Sequence, residues 1–148
     1  MFLARDRFAI REEKIRSFLQ SEPSIALVLA AVNFEWTVSR AVLFLSRTKN
    51  TDLRKKMHSY HSPKRYKELW KDEVQGNGHP ALAALVQNWQ NILRGFGARN
   101  LLVHGKDRYT TNMAAPHVNA LLHGAELVEL HCASVGKVLH ERMPVRKR

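Results

Sequence analysis

Apolar residues recur along this chain at steps of three and four, and no stretch alternates apolar and β-branched positions for long enough to make a strand. The pattern predicts helices from end to end. A first helix is predicted over about 2–19, with Phe8, Ile15, Phe18 and Leu19 as its apolar stripe, and Gln20-Ser21-Glu22-Pro23 stops it because proline lacks the amide a helix interior needs. Ser21 or Ser24 is placed to cap a second helix over about 24–46, the most apolar of the chain. Between Arg47 and Val74 the chain turns polar and basic, which predicts one or two short helices. One starts near Thr51, and another where Ser62 caps and Pro63 takes the first helical position.

Gln75-Gly76-Asn77-Gly78-His79-Pro80 reads as a loop. Leu82, Leu85, Val86, Trp89, Ile92, Leu93 and Phe96 then mark a third long helix that ends at Gly105. A last helix is predicted over about 114–142 through Val118, Leu121, Leu122, Ala125, Val128, Cys132, Val135 and Leu139, with Pro144 closing it. The fold expected is all-α: an up-and-down helical bundle of four long helices over 1–142, carrying a short basic helical insertion at about 47–74, then a short basic tail over 143–148.

Composition narrows the class of protein. The 148 residues suit one domain with a substantial core, and 45% hydrophobic residues with seven glycines and five prolines argue against disorder. A single cysteine, Cys132, rules out a disulfide framework and a multi-cysteine zinc site, and its place on the last apolar stripe suits a core residue. Charges begin at Arg5 and continue through Arg16, which no secretory signal tolerates, and Glu35 and Arg40 interrupt the apolar stretch from Ile25 to Leu45. A cytoplasmic protein without a membrane span is expected. The net charge of +11 points toward a polyanionic partner.

One segment concentrates candidate chemistry: Ala98-Arg99-Asn100-Leu101-Leu102-Val103-His104-Gly105. On an ideal helix Arg99 and His104 stand about 140° apart, whereas Asn100 and His104 are one turn apart on one face. Arg99 would flank a shared site from an adjacent stripe, with the helix end leaving His104 free to turn inward. The alternative is an arginine solvating a surface and a histidine at a helix C-terminus, where the macrodipole favours positive charge.

Arg99-Asn100-Leu101-Leu102-Val103-His104 resembles the motif of the HEPN superfamily (higher eukaryotes and prokaryotes nucleotide-binding). These are small helical bundles marked by an arginine, a gap of four to six residues and a histidine at the end of the third long helix. The resemblance implies a metal-independent endoribonuclease without cofactors, a toxin or phage-defence effector acting on cellular RNA as a homodimer whose paired motifs meet at the interface. It also implies an antitoxin, in many cases a nucleotidyltransferase partner. In that toxin group a tyrosine commonly stands two residues after the histidine; this chain has Lys106 there and its nearest tyrosine is Tyr109, which argues against control through that tyrosine.

The residue types suit the implied reaction. Metal-free RNA cleavage needs one group to take the 2′-hydroxyl proton and another to protonate the leaving 5′-oxygen, and histidine titrates near cellular pH. Two copies of His104 would supply both, Arg99 would neutralise the phosphorane, and Asn100 would donate to a phosphate oxygen or fix the imidazole tautomer. The products expected are a 2′,3′-cyclic phosphate and a 5′-hydroxyl. A second reading is a non-catalytic helical RNA-binding or protein-interaction module.

Glu35, with Ser39 one turn later, lies on a stripe with Val28, Val32 and Val42, so the carboxylate needs a partner. The family often carries an acidic residue in its second helix near the site, and Glu35 is similar to it, which implies a role in orienting Arg99 or His104. The alternative is an ion pair with Arg40 or another basic residue. Gly95 and Gly97 flank Phe96 just before the motif, where they serve either close approach of a partner helix or packing and bending within the chain. From Arg47 to Lys71 nine Lys or Arg stand against two acids, +7 of the total, with Tyr60, Tyr66 and Trp70 interleaved. Arg54, Lys55, Lys56, Lys64, Arg65 and Lys67 are the candidate RNA contacts there, with the aromatics either stacking on bases or packing on the bundle. His58 and His61 share a helical face but are too few to hold a metal, and His79, His117, His123, His131 and His140 form no ligand set.

Overall fold

The computed structural model describes residues 6–60, 62–106 and 108–143. Seven α-helices and no strand occur among the described residues. In chain order they are α1 (Phe8–Ser17), α2 (Pro23–Leu45), α3 (Asn50–Met57), α4 (Pro63–Glu73), α5 (Leu82–Val86), α6 (Trp89–Val103) and α7 (Thr111–Ser134), with a 3-10 turn at Gln75–Asn77. Residues 2–5 of the expected first helix, His61, and the tail from 144 lie outside the described residues.

Cross-helix contacts fix the directions of the principal helices. Arg11 of α1 bonds Asn33 of α2, and Arg16 bonds Asn119 of α7, so α1 runs against both. Gly124 of α7 packs against Phe34 of α2 and Ile92 of α6, while Gly95 of α6 packs on Leu121 of α7. Hence α2 and α7 run together, and α6 runs against them. The insertion α3 to α5 sits at the end where α2 finishes, tied down by the Asn77 side chain donating to the carbonyls of Leu45 and Glu73. Of α1, α2, α6 and α7 only two are long: α2 has 23 residues and α7 has 24, against 10 for α1 and 15 for α6.

α1 starts only at Phe8, with Asp6 and Arg7 outside the helix expected over 2–19 and Arg7 extended as its N-cap. Two further departures from the sequence pattern each have a backbone reason. The third long helix is broken at Gln87, whose φ is 66°, and Asn88 restarts it by accepting a bond from the Asn91 amide. The apolar repeat hides this break, because Leu82 and Val86 before it and Ile92 and Phe96 after it are all buried in one core. The last helix stops at Ser134, well short of Arg142. Gly136 takes φ 77° and the Lys137 amide bonds back to the Cys132 carbonyl at 2.8 Å, so Leu139 reaches the core through a turn. At the start of α2 neither serine caps: Glu22 holds that position with Pro23 behind it. Ser62 does cap α4 as expected, accepting from the Arg65 amide.

α2 is long and apolar enough to cross a membrane by length and composition, and 61% of its most apolar window is buried inside the fold. It lies at the centre, with α7 as its main neighbour. Arg11, 1% exposed, bridges α1 to both: it donates to Asn33, to the Asp6 carbonyl and to Glu129, with its guanidinium carbon 4.5 Å from the Trp36 ring centroid.

Candidate functional site

Arg99 and Glu35 meet across the junction of α6 and α2, with Nη2 donating to Oε1 at 2.9 Å. Each side chain is about a quarter exposed, 23% and 27%. Arg40, the other partner considered for Glu35, instead donates to the carbonyls of Leu139 and Glu141. The Arg99 guanidinium carbon lies 5.4 Å from the Phe96 ring centroid one turn earlier, and Phe96 is held edge-on by Phe34. The Phe96 ring and the Glu35 carboxylate therefore both hold the guanidinium. The Arg99 Nε is buried and has no protein partner.

A residue that the sequence reading assigned elsewhere completes this corner. Tyr66 of α4 is 7% exposed, and Glu35, Ser39 and Arg99 all act on its phenol. Its phenol is pushed above the ordinary tyrosine value, chiefly by burial and then by the Glu35 charge, with Ser39 and Arg99 pulling the other way. Four side chains from three helices thus share one electrostatic neighbourhood. The signal in the sequence was the spacing of Tyr66, Leu69, Trp70 and Val74, the buried stripe of an amphipathic α4.

Asn100 and His104 do not join that corner within one chain. Both are exposed, and among the described residues neither side chain hydrogen-bonds Arg99. His104 caps α6, its amide bonded to the Asn100 carbonyl, and Gly105 leaves the helix at φ 67° as its position predicted. Arg99 faces the α2 cleft while Asn100 and His104 face solvent, in keeping with the angular offset of an ideal helix.

The two glycines before the motif separate in role. A Cβ on Gly95 would stand 3.0 Å from the Leu121 side chain, so Gly95 serves packing of α6 on α7. A Cβ on Gly97 would meet nothing within 4 Å. Gly97 shares its solvent face with exposed Leu93, Leu101 and His104.

In the basic insertion Arg54, Lys55, Lys64, Arg65 and Lys67 are exposed. Lys56 departs from the expected RNA contacts: its ammonium bonds Glu73 at 2.9 Å and approaches Asp72 at 3.5 Å. That bond to Glu73 raises the Lys56 pKa, and although burial pushes the Glu73 carboxyl up, bonds from Lys56, Thr48 and Ser46 outweigh it and leave it below the ordinary value. Two of the aromatics are core residues instead of base-stacking platforms. Trp70 is fully buried with its indole donating to the Pro80 carbonyl, and Tyr66 occupies the corner beside Arg99. Tyr60 is half-buried against the core, with Arg65 over its ring.

Cys132 is buried and its thiol is pushed up to about 12, first by burial and then by Glu129. The pair His58 and His61 falls partly outside the described residues. No cluster of three or more metal-ligating side chains occurs among the described residues. No protein-family model matches this chain, and no curated protein or solved structure matches it significantly.

Proposed function

We propose that this chain is a HEPN-type endoribonuclease, an up-and-down bundle of α1, α2, α6 and α7 that works in the cytoplasm as a homodimer. It cleaves cellular RNA without metal, as a toxin or phage-defence effector. The observation that carries this reading is the Glu35 to Arg99 ion pair: a guanidinium held in a partly open cleft by a carboxylate and an aromatic ring, with its Nε donor unpartnered, on the helix that ends in exposed His104. Such a group is suited to a phosphate that gains charge during reaction.

The reaction balances with the residues present. The 2′-oxygen attacks phosphorus as one His104 takes its proton, the bond from phosphorus to the 5′-oxygen breaks, and the partner's His104 protonates the leaving oxygen. Arg99 meets the phosphorane charge and Asn100 binds a phosphate oxygen. Glu35 orients Arg99, with Ser39 and Tyr66 behind it. Arg54, Lys55, Lys64, Arg65 and Lys67 hold the RNA, and an antitoxin or nucleotidyltransferase partner restrains the enzyme. A second copy accounts for the open Gly97 and the exposed Leu93 and Leu101, which have no use inside one chain.

A second reading is a non-catalytic RNA-binding or protein-interaction module. The separation of His104 from the Arg99 corner in one chain favours it. Incubating RNA with the protein and a chelator decides between them. Cleavage that persists in chelator and is lost in both His104→Ala and Arg99→Ala supports the ribonuclease; intact RNA, or cleavage that survives the His104 change, supports the module.

A further inference from the structure

A cavity of about 490 Å³ opens away from Arg99, at the end of the bundle where α2 and α7 finish. Phe44 and Leu45 from the last turn of α2, with Val135 at the cap of α7, give it an apolar floor. Arg47, Lys137 and His79 give it a basic rim. No carboxylate lines it among the described residues, and neither Arg47 nor Lys137 forms an ion pair there. Glu73, reached through the Ser46 hydroxyl, is already engaged by Lys56 and Thr48.

The backbone builds this rim deliberately. Gly136 turns the chain out of α7 and returns Lys137 to the cavity wall. Asn77 anchors the loop that carries His79 to the end of α2. His79 Nδ1 and His131 Nε2 stand 3.0 Å apart with perpendicular rings. Burial, and after it the neighbouring His79, hold His131 below the ordinary imidazole value. The contact uses His79 Nδ1 and leaves its Nε2 unengaged by His131.

A bare inorganic anion would fill little of this volume, which lies within the range of small-molecule sites. We propose that the cavity binds a small amphipathic organic anion, one carboxylate or phosphate head on an apolar ring-sized body, the head held by Arg47 and Lys137 and the body laid on Phe44 and Val135. Arginine and lysine side chains receive either head. The site stands apart from the ribonuclease reading and needs no cleavage to be seen.

The test is titration of the full-length chain with phenyl phosphate and with benzoate, followed by calorimetry and by amide chemical shifts, with inorganic phosphate and benzyl alcohol as controls. At least one ring-bearing anion should bind about tenfold more tightly than both controls, with shifts centred on 44–47, 79 and 135–137. Which anion binds assigns the head as phosphate or carboxylate. Arg47→Gln and Lys137→Gln should each weaken it about tenfold with an unchanged melting temperature, and Val135→Glu should abolish it. Ring-bearing anions that bind no better than the controls, shifts confined to α3 and α4, or full affinity in both rim variants would overturn the proposal.

Discussion

At Arg99 three constraints meet: the Phe96 ring beneath the guanidinium, the Glu35 carboxylate at Nη2, and a buried Nε with no partner. The apolar stripe around Glu35 called for a cationic partner, and the motif resemblance pointed to Arg99 as one candidate. The stripe did not distinguish Arg99 from Arg40, which lies on α2 itself, and only the fold sends Arg40 to the carbonyls of Leu139 and Glu141. Glu35→Gln removes a charged hydrogen-bond partner worth about 1.5 to 3 kcal/mol. If that loss is expressed at the transition state, RNA cleavage slows roughly ten- to a hundredfold in single-turnover assays. RNA affinity, which the proposed function assigns to the basic insertion, should hardly move. Arg99→Lys should lose at least as much, because a lysine has no planar fork to serve Glu35 and a phosphate together. Cys132 offers a separate check. With its thiol pushed up to about 12, the folded protein should resist iodoacetamide at pH 8 and react only on unfolding; rapid labelling of the native chain would contradict the packing described.

At the scale of elements, legibility followed the backbone chemistry. Ser62-Pro63 and Gly105 were readable because cap, proline and positive φ each leave a local signature. The break at Gln87 was not, since the apolar period continues through it, and the end of α7 was not, since Leu139 keeps the helical spacing while reaching the core by a turn. The convergence of His79 with His131 and of Tyr66 with Ser39 is tertiary and leaves no trace in spacing. Lys56, Ser46 and Thr48 gather on Glu73 and latch α3 and α4 to the end of α2. The folded Glu73 pKa lies below its ordinary value, so its contribution is full above that value and is lost as pH falls through the folded one; Lys56, raised, contributes until pH rises through its folded value. Glu73→Gln should cost about 1 to 3 kcal/mol at pH 7 in urea unfolding, and the gap to wild type should close as the solution is acidified through the carboxylate range. The small-residue contacts give a matched pair. Gly124→Ala puts a Cβ 2.8 Å from Ile92 and 3.1 Å from Phe34, and should destabilise by about 1 to 3 kcal/mol. Gly97→Ala meets nothing in its own chain and should gain up to about 1 kcal/mol of monomer stability.

Across the whole molecule, charge and apolar exposure occupy different regions. Most of the +11 belongs to the Arg47 to Lys71 segment, whose exposed Lys and Arg side chains lie on α3 and α4 and, at Arg47 and Lys49, just before α3. The solvent face of α6 sets exposed Leu93, Gly97 and Leu101, the last 44% exposed, beside polar Gln90, Asn100 and His104. The first region suits a phosphate backbone and the second a copy of itself. A dimer built on α6 should dissociate in Leu101→Asp with helical circular dichroism intact, and cleavage should fall with it; sedimentation that shows a monomer for the wild type would refute that assembly. The central claim is the chemistry assigned to Arg99 and His104, and the ends of the RNA test it most directly. Products made by the wild-type chain in excess chelator should carry 2′,3′-cyclic phosphate and 5′-hydroxyl groups. Products ending in 3′-hydroxyl and 5′-phosphate, or no products at all, would contradict it.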